Sequence, residues 1–127
     1  MDKQAAKGAL LMFSIVALLT AINVVTNGRT ENPEEYRTEF VGDAPNVVGI
    51  VSNLQYPEGY SYESIVIQSQ NEPFGLTVFL DVDDDANSIS ASDLQKAADS
   101  TFELIGNLGK LEYRTSTKND TIASFVR

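Results

Sequence analysis

Residues 76–83 read LTVFLDVD. Leu76, Val78, Leu80 and Val82 take alternate positions, and Thr77, Phe79, Asp81 and Asp83 fill the others. A period of two sends the apolar side chains to one side of a pleated strand, so this stretch predicts a strand with one buried face. A strand of that kind needs a second layer over its apolar side, and the sequence on both sides supplies it.

Downstream, residues 90–108 read SASDLQKAADSTFELIGNL. Leu94, Ala97, Ala98, Thr101, Ile105 and Leu108 recur at helical spacing. Ser90 with Asp93 makes a capping box, and Gly109 is placed to end the helix. Upstream, residues 41–54 read VGDAPNVVGIVSNL and predict a shorter helix. Asp43 suits its cap, Pro45 its first turn, and Val47, Ile50, Val51 and Leu54 its apolar stripe. Pro57 and Gly59 break the chain within QYPEGYSY. A strand follows at ESIVIQSQ, with Ile65 and Ile67 on one face, and then a turn at NEPFG. In that turn Pro73 fixes φ and Gly75 is expected to supply a positive φ. KLEYRT and TIASFV close the chain as a hairpin around STKND. The expected fold class is α+β, in the order α-β-β-α-β-β over residues 40–127, with helices packed on a mainly antiparallel sheet.

The amino-terminal part has a different character. Residues 9–25, ALLMFSIVALLTAINVV, carry no charge. As a helix they would extend roughly 26 Å, near the lower limit for crossing a bilayer. A cleaved signal peptide would want small residues around its cleavage point, but Leu19 stands at the critical spacing before Ala21. The stretch therefore predicts a single uncleaved transmembrane helix at 9–26, with a tail at 1–8 and a polar linker at 27–39. Lys3 and Lys7 precede the span, whereas Arg29 is followed by Glu31, Glu34 and Glu35. Positive charge stays inside, so the tail is expected in the cytoplasm and the carboxy-terminal domain outside it, at the cell membrane.

The 127-residue chain has a net charge of -9 and contains neither His nor Cys. Such an acidic surface repels phosphate backbones, so no nucleic-acid partner is expected. Without Cys there are no disulfides, thiol nucleophiles or thiolate metal sites. Without His the commonest general base is missing. There is no phosphate-binding Gly-rich loop and no nucleophile elbow. A small hydrolase would have to rest on carboxylates that resemble one another too closely to single out, and it ranks last. The chain is read as non-catalytic and without a cofactor.

Two groups of residues are candidate sites. Asp81, Asp83 and Asp85 have the first spacings of an EF-hand loop. That register then puts Ala86 where Gly belongs and Ser92 where the bidentate Glu belongs. A solvated strand end is the simpler reading, with a weak calcium-responsive module as the alternative. Tyr56, Tyr60 and Tyr62 cluster in one loop, where aromatic rings can grip a partner or pack over the end of the sheet.

Val41–Asp43, Val47–Leu54, Tyr56–Gly59 and Glu72–Val78 together resemble the bacterial family known as domain of unknown function 4825. The likeness covers the first half of the outer domain closely and the following helix more loosely. It implies a small membrane-anchored protein of Gram-positive-type bacteria. Similar domains also occur beside membrane metallopeptidases of the beta-lactam-sensor kind. The resemblance carries over no catalytic residues. The expected function is a binding, sensor or accessory module whose partner is a membrane or cell-envelope protein.

Overall fold

The computed structural model describes residues 32–127. A short 3-10 helix, Pro33–Tyr36, comes first. Then follow α1 (Ala44–Ser52), β1 (Tyr60–Gln68), β2 (Gly75–Val82), α2 (Ala91–Leu104), β3 (Lys110–Thr115) and β4 (Thr121–Val126). The strands form one four-stranded sheet in the order β1-β2-β3-β4.

This corrects the expected fold class in two respects. The sheet is mixed rather than mainly antiparallel: β2 and β3, its central pair, run parallel, and only the outer pairs are antiparallel. The cause is α2, which carries the chain back along the sheet so that β3 starts level with β2. The element order also opens with the 3-10 helix, so it is not α-β-β-α-β-β. No helix among the described residues is long and apolar enough to cross a membrane. The expected span at 9–26 and the tail at 1–8 lie outside the described residues.

The alternation in β2 organises the core. Ile67, Leu76, Leu111 and Phe125 make one row across the sheet, and Ile65, Val78, Tyr113 and Ala123 the next. These rows meet Val47, Ile50 and Val51 of α1 and Leu94, Ala97, Ala98 and Leu104 of α2 in a single cluster. Full burial of each large aliphatic side chain contributes about 1.5–3 kcal/mol. Both helices therefore cover the same face.

The segment before α1, read as linker, is strapped to the fold. Thr38 bridges to Ile105: its N–H donates to Leu104 O at 2.9 Å, and Gly106 N–H donates to Thr38 O at 2.9 Å. Val41 N–H donates to Asn107 Oδ1 at 2.7 Å. The Tyr36 ring lies on α1 where Gly49 leaves room for it, and a Cβ there would overlap the ring.

Several local expectations shift for identifiable reasons. Asp43 stands at the cap of α1, but its carboxylate accepts from Thr38 Oγ1 at 3.0 Å and Asn46 Nδ2 at 2.8 Å rather than capping backbone N–H groups. The capping box of α2 forms, with Ser90 N–H donating to Asp93 Oδ2 at 2.9 Å. The helix stops at Leu104 rather than near Gly109, because Ile105 leaves it to bridge Thr38. Gly109 instead permits a close approach: its N–H donates to Phe74 O at 2.8 Å, and a Cβ would come within 2.8 Å of the Pro73 side chain. The Glu72–Pro73 bond is cis, and the positive φ expected at Gly75 is found at Gly59 instead.

Candidate functional site

The three tyrosines are divided between a loop and a strand. Tyr56 follows α1, and its hydroxyl donates to Val51 O at 2.6 Å. Its ring meets Tyr113 edge-on, with centroids 6.4 Å apart and planes at 68°. Burial pushes its hydroxyl well above its ordinary pKa, and Tyr113 and Tyr62 push it further. Tyr60 and Tyr62 belong to β1, because the alternation of that strand begins earlier than the Pro-Gly break suggests. The Tyr60 hydroxyl donates to Asn87 O at 2.7 Å. Tyr62 pairs with Leu80 across the ladder, and burial pushes its hydroxyl up to about 12. All three rings are half-buried against the core cluster.

Asp81 lies on β2 opposite Ser61, on the face away from the helices. Asp83 and Asp85 lie beyond the strand. All three side chains are exposed. The turn is held by main chain: Asp83 N–H donates to Gly59 O at 2.9 Å and Ala86 N–H donates to Asp83 O at 3.1 Å. Among the described residues, no three acidic side chains converge into a group that could hold a metal ion.

An open groove of about 460 Å³ is lined by Glu72, Pro73, Phe74, Leu108, Gly109 and Arg127, among others. Its cation is engaged. Arg127 Nε donates to Leu108 O at 2.7 Å, while Nη2 donates to Phe102 O at 2.7 Å and Ile105 O at 2.8 Å. The guanidinium also sits 5.4 Å from the centre of the Phe102 ring. This is the carboxy-terminal cap of α2, supplied from the end of β4.

The far face of the sheet has no described element over it. Val66, Thr77, Glu112 and Ser124 form one row there; Phe79 and Arg114 sit in the next, between Ser64 and Thr121. Val66 is 50% exposed and Phe79 half-buried. Arg114 is held by four bonds. Nη1 donates to Glu112 Oε2 and Thr121 Oγ1, each at 2.9 Å, Nε to Asn119 Oδ1 at 2.7 Å, and Nη2 to Asn119 O at 2.6 Å. Asn119 has φ 60°, and the turn it makes brings its carbonyl to the arginine. The result is a surface of apolar, hydroxyl and paired charged groups. The residues between Leu76, Val78 and Leu80 carried a signal for this face, since alternation defines two sides of a strand.

No curated protein and no solved structure matches the chain. The family model that does match covers residues 33–126 and is described as domain of unknown function (DUF4825). That match starts at the 3-10 helix and ends with β4, so it takes in every element of the described fold. The chain belongs to the DUF4825 family.

Proposed function

We propose that this protein is a non-catalytic binding module. Its amino-terminal apolar segment, residues 9–25, holds it at the cell membrane, and the folded part works outside the cytoplasm. The open face of the sheet is the surface through which it engages a protein of the membrane or envelope. One observation carries this reading: with both helices on the opposite side, the sheet keeps Val66 half-exposed beside Phe79 and the braced Arg114. An uncovered sheet face with apolar and arginine groups has the composition that buried contact surfaces favour. The absence of His and Cys from the sequence supports the non-catalytic part.

The test is a photo-crosslinking amino acid at position 66 of the full chain, in membranes of its own host. A control probe goes at Gln95, exposed on α2. Adducts at 66 and not at 95 are expected. Equal capture at both positions, or substrate turnover by the purified chain, would overturn the reading.

A further inference from the structure

The groove beside the NEPFG turn lies at the end of the sheet where β2 and β3 begin and β4 finishes. Two opposite charges line it, Glu72 and Arg127. The ion pairs among the described residues are Arg37–Glu103 and Arg114–Glu112, so these two do not close on each other. Arg127 is held back because Nε and Nη2 are tied to the carbonyls of Phe102, Ile105 and Leu108. Its Nη1 has no hydrogen-bond partner among the described residues, and neither has the exposed carboxylate of Glu72. Asn107, also in the lining, accepts from Val41 N–H at Oδ1, which fixes its amide and leaves Nδ2 as a second unspent donor. Exposed Pro73 and half-buried Phe74 give the groove an apolar wall.

We propose that this groove binds a small zwitterion, an amino acid or short peptide with an apolar side chain. The ligand's carboxylate meets Arg127 Nη1 and Asn107 Nδ2, its ammonium meets Glu72, and its side chain lies on Pro73 and Phe74. This goes beyond the binding reading above and does not depend on the open face of the sheet.

The charge pattern selects this class. A simple anion would meet Glu72 as a like charge, and a simple cation would meet Arg127 so; a ligand carrying both signs answers each side. The chain's net charge of -9 also repels anions at a distance, whereas a zwitterion has no net charge to be repelled. The volume of about 460 Å³ falls in the range of small-molecule sites. The groups that would hold the carboxylate are set before it arrives, Arg127 by three carbonyls and Asn107 by Val41 N–H, which lowers the ordering cost of binding.

The test follows amide shifts of the full-length chain in lipid nanodiscs by NMR, with leucine and leucyl-leucine as probes. Saturable shifts of the amides of Phe74 and of Gly106 to Gly109 are expected from at least one of them. N-acetylleucine lacks the ammonium and leucinamide lacks the carboxylate; each should bind about tenfold weaker or more than the better probe. Glu72→Gln should weaken that probe by about tenfold while leaving thermal melting unchanged, because the carboxylate supports nothing within the fold. Whichever of the two probes binds more tightly names the source, a peptide or a free amino acid. No saturable shift from either probe at millimolar concentration would overturn the proposal. So would N-acetylleucine or leucinamide binding as well as the better probe, or undiminished affinity in Glu72→Gln. None of these results touches the open-face reading, which the crosslink at position 66 tests separately.

Discussion

Gly49 sits in the middle of a helix, where glycine normally costs stability, and the Tyr36 ring explains its presence. Gly49→Ala has to push that ring away from α1. We expect a loss of about 1–3 kcal/mol by chemical denaturation, although alanine is the better helix former. Nothing in GIVS announces this role, because the ring arrives from a segment whose charges read as linker. The tyrosines were half legible. Their clustering is plain in QYPEGYSYE, but the hydrogen bond from Tyr56 to Val51 O depends on how the chain leaves α1. Their burial has a consequence at high pH. Tyr62 and Tyr113 are pushed up to about 12, the latter by burial against a smaller downward pull from Thr101. In the unfolded chain both ionise near 10. The unfolded state therefore loses protons first, and stability falls as pH rises from about 10 towards 12. Denaturant midpoints should decline across that window, and tyrosinate absorbance should lag behind that of the unfolded chain.

Among the elements, β2 and α2 were the most legible, because each carries a long run with one clean period. The ends were less so. Gly109 looked like the stop of α2, yet the helix yields five residues earlier to a bridge with Thr38, a partner far away in sequence. The cap that closes α2 is equally remote, since Arg127 reaches the carbonyls of Phe102, Ile105 and Leu108. Arg127→Ala should cost about 1–3 kcal/mol. Arg127→Lys should not restore it, because an ammonium cannot fork to three carbonyls and lie over Phe102 in the same way. Full rescue by lysine in thermal melts would mean that charge alone matters there. In β1 the pairing slips between Tyr62 and Ser64, and a bulge of this kind bends an outer strand away from unwanted neighbours.

On the scale of the molecule, the class of layers was legible and the wiring of the sheet was not. Two-residue alternation says that a strand is half-buried; it does not say which strand lies beside it or in which direction. The parallel centre had to come from α2 lying across the sheet. The acidic loop shows the same limit: spacing brings Asp81, Asp83 and Asp85 close along the chain, but the end of β2 sends them to different surroundings. Millimolar calcium should accordingly leave the melting temperature of the full chain unchanged, since a cation held at that loop would raise it. An upward shift that Asp83→Asn abolishes would restore the calcium reading.

The parallel pair at the centre also sets a timetable for synthesis. β2 is the most buried strand, and the neighbour on its inner side is made only after the whole of α2 has been translated. Until then a nascent chain carries Leu76, Val78 and Leu80 with one edge unpaired and much of one face bare. β1 can close on β2 at once, but that hairpin cannot bury itself. The first half of the domain must therefore wait in an adhesive state, and chaperones that hold extended apolar segments would find their target at residues 76–82.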